Sequence, residues 1–567
     1  MFSWKIFYFS LYSIIIIMER KEGYGLHMNY IDFDKTSACR LLDSCAAGGR
    51  NFDFKTALTA KRVAQCSVPL AGGLTYNWAA KAVDETALNA LKALAKEQDL
   101  VAKYIALLEG EVMNTGEGRR VLHHLLRSPD GKTATGKSVM HEGRDLGDFY
   151  LKERERFYAF AEKVRSGAIA PGPGSRFTAF AQIGIGGSDL GPRALAIALE
   201  NWACGEGKTA YRAEFISNVD PDDASKALAS LPLSQTLFIL VSKSGTTQET
   251  LTNELFIKEK LREHNLDPAK HMVAVTSETS PLARNPGYLD SFYFDDFIGG
   301  RYSSSSAVGG VIHSLAFGSD VFAEFLEGAF QADKAALQED VLQNASLLDA
   351  LIGVWERNFL LYPYTAILPY SQALSRFPAH LQQLDMESNG KRVNRFGAGI
   401  SYSTGPVVFG EPGTNGQHSF YQLLHQGSDV VPLQFIGFAE SLRRDDALID
   451  GSTSQTKLNA NLAAQITAFA LGKNDENGNK HFPGQRPSSL IYGRRLSPSA
   501  LGALLAHYEN KVMFQGFIWN VNSFDQEGVQ LGKVLAGKIL AKKSGTQDDG
   551  QLESVLQSYA NLLGGAV

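Results

Sequence analysis

The six residues Thr236 to Val241 (TLFILV) constrain this chain more than any other segment. A strand with one face in water alternates apolar and polar side chains, so an unbroken apolar run of this length needs cover on both faces. Thr246 to Leu261 follows it and reads as a helix. The same pairing occurs at Thr178 to Ile183 (TAFAQI), then glycines, then a helical Pro192 to Glu200. Phe215-Ile216-Ser217 and Met272 to Val275 extend the series. Short buried strands alternating with helices predict a parallel α/β sheet covered on both sides. A second alternation begins after a helical stretch, Ala336 to Phe359. There Thr365 to Leu368, Val407 to Phe409, Leu433 to Phe438 and Ser488 to Tyr492 read as strands.

A chain of 567 residues is too long for one ordinary core. The expected organisation is an N-terminal helical region at 28–150, a first α/β domain at 151–330, a second at 331–545 and a C-terminal helical tail at 546–567. Within the first region, Glu85 to Leu108 repeats apolar positions at helical spacing. Residues 1–27 stand apart. The run Ile6 to Met18 is apolar, yet shorter than the ~20 residues a membrane helix needs. Gly23-Tyr24-Gly25 makes a poor signal-cleavage site. The segment is expected to be an upstream extension, with Met28 opening the folded chain.

Composition narrows the function classes. Apolar residues make up 44% and charged residues 20%, which is globular rather than disordered chemistry. A net charge of -5 argues against nucleic acid as the main partner, while a local positive pocket could still take a small anion. The four cysteines, Cys39, Cys45, Cys66 and Cys204, form no CxxC pair. They make neither a disulfide framework nor a zinc site, and a reducing cytoplasm fits them. No His, Asp or Glu cluster has metal-ligand spacing, so neither metal nor cofactor is expected.

Two glycine- or hydroxyl-rich loops follow strands and open helices. In Gly184-Ile185-Gly186-Gly187-Ser188-Asp189-Leu190-Gly191, glycines such as Gly187 let the backbone approach a ligand, and the helix start favours an anion. Asp189 stands where a dinucleotide fingerprint needs glycine, so that reading fails. Ser188 suits a hydroxyl donor to a phosphate monoester. In Ser242-Lys243-Ser244-Gly245-Thr246-Thr247, four hydroxyls exceed what a helix cap requires. Together with backbone N–H groups they can hold a dianion. Two such loops at strand ends favour phosphate binding over plain capping. Four further segments carry charged residues whose isolated readings are bland. Arg301 could be a surface ion pair, Glu387 a solvated helix charge, His418 a loop histidine and Lys533 one more exposed lysine.

In combination these segments resemble the glucose-6-phosphate isomerase family. The resemblance rests on FIGGRYS at 297–303, DMESNGK at 385–391, GEPGTNGQHSFYQLLHQG at 410–427 and FDQEGVQLGK at 524–533. IGIGGSDLGP at 183–192, SKSGTTQET at 242–250 and NTGEGRRVLHHLLR at 114–127 agree too, the last with no catalytic role assigned. It covers essentially everything from Met28 onward. Two departures stand out: Ser304-Ser305 where the family usually has a bulky residue, and Glu527-Gly528-Val529-Gln530 where it usually has WGVE. The second bears on the charge around Lys533.

The resemblance implies two sugar-isomerase-type (SIS) doubly wound parallel-sheet domains with added N- and C-terminal helices. It implies a cytoplasmic homodimer with no membrane or nucleic-acid partner, acting on a small sugar phosphate. The active site would be shared between subunits, with His418 supplied by the partner chain. It also implies roles. Glu387 would be the base that moves a proton between C1 and C2. Arg301 would face the developing oxyanion. His418 would open the sugar ring, since an imidazole titrates near neutrality, and Lys533 would assist at the ring oxygen. Ser188, Ser242, Ser244 and Thr247, with Lys243 nearby, would grip the phosphate. Gly187, Gln383 and Gln526 would contact the sugar, Gln383 lying one helical turn before Glu387. A non-catalytic sugar-phosphate sensor would have no reason to keep Glu387, Arg301, His418 and Lys533 together.

Overall fold

The computed structural model describes Met28, residues 30–541 and residues 550–563. The extension expected at 1–27 lies outside the described residues. Two sheets carry the architecture. Their strands, in chain order, are β1 (Ser67–Pro69), β2 (Leu74–Asn77), β3 (Ala179–Ile183), β4 (Arg212–Ile216), β5 (Thr236–Val241), β6 (Met272–Thr276), β7 (Ser291–Tyr293), β8 (Tyr364–Pro369), β9 (Val407–Phe409), β10 (Leu433–Phe438) and β11 (Ser488–Gly493).

The first sheet runs β4-β3-β5-β6-β7, parallel throughout. Side chains of β5 divide between its two faces as pleating requires. Leu237, Ile239 and Val241 enter the large central core, while Phe238 and Leu240 join a separate cluster with Ile257 and Leu261 of the following helix. The unbroken apolar run is thereby buried on both sides.

The second sheet runs β1-β2-β11-β10-β8-β9. The strands from β11 to β9 are parallel, and β2 pairs antiparallel with β11 and with β1. Residues 28–150, expected to be mostly helical, thus donate a hairpin to this sheet. Val68, Leu74 and Tyr76 face the core, with Tyr76 opposite Ile491. Glycines at 72 and 73, both at positive φ, make the turn.

Helix boundaries also differ from expectation. The helical stretch from Glu85 splits into α1 (Glu85–Glu97) and α2 (Leu100–Leu108), because Asp99 takes a left-handed conformation. Downstream come α3 (Leu190–Gly205), α4 (Gln248–Glu263), α5 (Ser319–Ala335), α6 (Ala345–Val354), α7 (Phe377–Gln382), α8 (Pro498–Ile518), α9 (Gln530–Ala541) and α10 (Gly550–Leu562). The stretch expected to be helical from Ala336 is interrupted: Ala336 ends α5, and α6 starts only at Ala345. No helix among the described residues is long and apolar enough to cross a membrane.

The central helix α8 is buried over nearly its whole length and packs along α5 and α6. A fully buried ion triad pins this layer. Arg127 donates to both carboxylate oxygens of Asp333 on α5, at 2.8 and 3.0 Å, and pairs with Glu509 on α8. Removing one partner from such a triad leaves an uncompensated buried charge, whose cost far exceeds that of losing a surface pair.

The contact between α5 and α8 depends on glycine. A Cβ on Gly502 would sit 1.9 Å from the carbonyl oxygen of Phe325. Gly502→Ala should therefore destabilise the protein by about 1–3 kcal/mol, the usual range for overpacking. The check is a lower denaturant midpoint at unchanged slope. A second expectation concerns acid. Burial holds His124 down to about 3, and His313 and His380 to about 4. These rings stay neutral in the folded protein, while the unfolded chain takes protons below about pH 6.5. Their contribution to stability is thus complete above that pH and falls as pH drops from 6.5 toward 4. Denaturation midpoints across that window measure it, and replacing His380 should flatten the curve.

Candidate active site

The two phosphate-type loops leave the C-terminal ends of neighbouring strands, β3 and β5. In the second loop Ser242 is buried and donates to Thr247 Oγ1 at 3.1 Å, while the Gly245 N–H donates back to Ser242 Oγ at 3.1 Å. Thr247 is the N-cap residue of α4 but its hydroxyl caps no backbone N–H. Ser244 is exposed and accepts from Thr246. Lys243 Nζ donates to the Ile298 carbonyl at 3.2 Å and lies 3.7 Å from Asp296. Burial draws its ammonium below the ordinary lysine range, against the opposing pull of Asp296.

The first loop meets Arg301 directly. A Cβ on Gly187 would lie 2.1 Å from the Gly300 carbonyl oxygen and 2.7 Å from the Arg301 nitrogen. Only glycine permits that approach. Ser188 is half-buried in the same turn, and Gln182 Nε2 donates to its carbonyl at 2.8 Å. Gly186 faces Gln383, whose Nε2 would lie 3.3 Å from a Cβ placed there.

Arg301 sits on a 3₁₀ stretch, Gly300–Ser305, and is only 1% exposed. Its Nε donates to Ser388 Oγ at 2.7 Å, and one terminal nitrogen donates to the carbonyls of Ser523 (2.6 Å) and Asp525 (3.0 Å). The other points at Glu387 Oε2, 3.6 Å away. That distance is an ion pair without a hydrogen bond. Glu387 Oε2 is buried and takes no proton from any described group, and Gln383 Oε1 is likewise unpartnered. The carboxylate is thus held in place with an acceptor left for a ligand.

The sequence predicts one helix carrying both Gln383 and Glu387. Instead α7 widens into a π-helical turn, Gln383–Glu387. Such turns insert one extra residue locally and recur at functional sites. Gln383 still reaches the same side as Glu387, since four residues nearly complete a π turn.

Neither His418 nor Lys533 belongs to this cluster in a single chain. His418 is exposed in the turn after β9, tied to the end of β8 where Gln417 Nε2 donates to Tyr370 Oη at 2.8 Å. Lys533 is exposed on α9, which packs on the preceding short turn and on α10. Gln526 is exposed beside Asp525.

The same motifs hold several supporting residues that no local sequence pattern singles out. Ser388 carries Arg301 and also bonds Tyr302 Oη at 2.9 Å. Asn389 accepts from Ser523 Oγ at 2.6 Å and donates to the Val512 carbonyl at 3.0 Å. Lys391 pairs with Asp525. The signal available was their position inside DMESNGK and FDQEGVQLGK. The Ser304-Ser305 departure has a packing reason. Ser304 is buried against Gly191, where a Cβ would fall 2.0 Å from its hydroxyl, and Ser305 Oγ accepts from Arg127 at 3.2 Å.

Known proteins are similar to this chain over most of its length. Residues 77–559 match the family model described as phosphoglucose isomerase. The glucose-6-phosphate isomerase of Treponema pallidum (strain Nichols) is 60% identical over 533 residues, covering 92% of this chain and 98% of its own. That of Treponema denticola is 62% identical over 488 residues, covering 86% and 91%. The crystal structure of a glucose-6-phosphate isomerase from Chlamydia trachomatis superposes with a TM-score of 0.86 at 40% identity, covering 94% of this chain and all of that one. With Glu387 set against the buried Arg301 beside two phosphate-type loops, this chain belongs to the phosphoglucose isomerase family.

Proposed function

We infer that the protein is an aldose–ketose isomerase interconverting glucose 6-phosphate and fructose 6-phosphate, a step of glycolysis and gluconeogenesis. One observation carries the mechanism: the buried, unpartnered oxygen of Glu387 lies 3.6 Å from the Arg301 guanidinium. A proton alpha to a carbonyl is weakly acidic. Its removal needs a base on one side and positive charge on the other. Glu387 takes the proton from C2 and returns it to C1, and the two half-reactions share one carboxylate. Arg301 stays charged throughout and faces the enediolate oxygen in a water-poor setting, where its field is strong.

Ser188, Ser242, Ser244 and Thr247 hold the phosphate, with Lys243 contributing charge. The unused cap of Thr247 and the paired hydroxyls of the loop support this assignment. Gly187, Gln383 and Gln526 contact the sugar. Ring opening falls to His418 and Lys533. The enzyme acts in the cytoplasm as a homodimer in which the second subunit brings His418 to the site, and the exposure of His418 and Lys533 in a single chain supports that sharing of the site.

Glu387→Gln keeps the side chain's size but cannot accept a proton. Isomerisation should fall by about 10²–10⁴-fold, toward the upper end, because both half-reactions lose their base. In heavy water the native enzyme should place deuterium at C2 of recovered glucose 6-phosphate and the variant should not. Exchange at the native rate would remove Glu387 from this role.

Subunit sharing has its own test. Inactive His418→Ala and Glu387→Gln proteins, mixed and reassembled, should regain activity, since one site of each hybrid would contain both intact groups. Demonstrated hybrids without activity would mean that each chain builds its own site.

A further inference from the structure

The segment Asn114–Arg120 belongs to a motif with no assigned role, yet it contacts both Asp525, which supports Arg301, and Asp296, beside Lys243. Asn114 and Arg119 exchange two backbone hydrogen bonds, at 3.1 and 3.0 Å, that fix a tight turn. Thr115 Oγ1 donates to the Arg395 carbonyl at 2.6 Å, and Asn522 Nδ2 donates to Asn114 Oδ1 at 3.0 Å. The turn is therefore anchored by groups other than its charges. Those charges form a row of alternating sign. Glu117 Oε2 accepts from Asn114 Nδ2 at 2.8 Å and lies 3.3 Å from Arg119. The other end of the Arg119 guanidinium lies 3.5 Å from Asp296 Oδ2, and Asp296 Oδ1 lies 3.7 Å from Lys243 Nζ.

We propose that Asp296 is a specificity-determining positioning residue, a carboxylate that holds the Lys243 ammonium until a phosphate dianion displaces it, with Arg119 receiving the displaced carboxylate. The inference rests on the reading of Lys243 as part of the phosphate site. Three features of the geometry carry it. Both contacts of Asp296 are long, and its side chain is 56% exposed, so the pair is easily exchanged. Asp296 is a monoanion shared between two cations, whereas the incoming phosphate is a dianion that also gains the hydroxyls of the loop. Finally, Arg119 stands on the far side of Asp296 from Lys243, so the released carboxylate keeps a partner. A sugar without phosphate lacks the charge to open the contact, and Lys243 stays with Asp296. Asp296 acts through Lys243 and touches no reacting atom.

Four variants test this with glucose 6-phosphate as substrate and inorganic phosphate as competitive inhibitor. All substitutions are at half-exposed or exposed side chains. Asp296→Asn removes the competitor, so KM and the inhibition constant of phosphate should both fall by about 2- to 5-fold, the worth of an exposed ion pair. Arg119→Gln leaves Asp296 to Lys243 alone, so both constants should rise by a similar factor. In the double variant the Arg119 effect should vanish, because the group it acts through is gone. Across these three variants kcat should stay within about twofold of native, as expected for uniform binding. Lys243→Ala separates the two readings. An unchanged KM there overturns the phosphate assignment and this inference with it. A raised KM there, with Asp296→Asn unchanged or weaker-binding, overturns the latch alone. An Arg119 effect that persists without Asp296 shows that Arg119 acts on the phosphate directly and overturns its role as receiver.

Discussion

The guanidinium of Arg301 fixes the geometry of the whole site. It is permanently charged and almost wholly out of water, a state that is tolerable only when its N–H groups are matched by acceptors. Those acceptors come from segments far apart in the sequence: Ser388 from the end of the π turn, and the carbonyls of Ser523 and Asp525 from the chain following α8. Satisfying one charge therefore forces three loops into a single arrangement. Asn389, by accepting from Ser523 and donating to Val512, clamps two of them together independently. Glu387 is carried along by that requirement. Its place opposite Arg301 follows from where Ser388 must be.

The π turn makes a second separation possible. Asp385 and Glu387 are two residues apart yet face different surroundings. Burial raises Asp385 to about 6, with Lys511 partly opposing it. Asp349, in the same interior region, is also penalised by burial, but Lys511 and the His507 hydrogen bond outweigh that and hold it well below the usual carboxylate range. Two carboxylates near one lysine are thus shifted in opposite directions. Glu387, two residues on, is set instead against the Arg301 guanidinium, 3.6 Å away.

Much of this was legible in the chain itself, for a physical reason. An apolar run such as Thr236 to Val241 admits one environment, so β3, β5, β6 and β8 to β11 could be read to within a residue, whereas β4 begins three residues before the apolar Phe215-Ile216 that marked it and the short β7 was not read at all. The hairpin of β1 and β2 escaped because its three and four residues are too few to show a period, and its Gly72-Gly73 turn reads equally as a loop. The π turn escaped because inserting one residue into a helix leaves the apolar spacing nearly unchanged. At the site, Arg301 and Glu387 were recognisable only as members of motifs, since no local pattern says that residues 86 positions apart will meet. The supporting groups, Ser388 and Asn389, were overlooked for the opposite reason: a serine or an asparagine beside a catalytic carboxylate looks unremarkable until the partner segment is in place. His418 and Lys533 are exposed in one chain, so neither residue's function follows from a single-chain packing argument.

The separation between the phosphate loops and Glu387 has its own logic. The phosphate is attached to C6 and does not react, so its binding energy is the same in the ground state and the transition state. Such energy accelerates the chemistry only by fixing where the other end of the molecule lies. The reacting carbons, C1 and C2, are at that other end. A site for this substrate must therefore place its anion grip and its base at opposite ends of a six-carbon chain and keep that distance rigid. The turn at Asn114–Arg119 touches both ends. Gly116 packs against Asp525, where a Cβ would lie 3.1 Å from the carboxylate, and Arg119 faces Asp296 beside Lys243. Asp525 in turn supports Arg301 through its carbonyl. One anchored turn thus connects Lys243, through Arg119 and Asp296, with the backbone that supports Arg301.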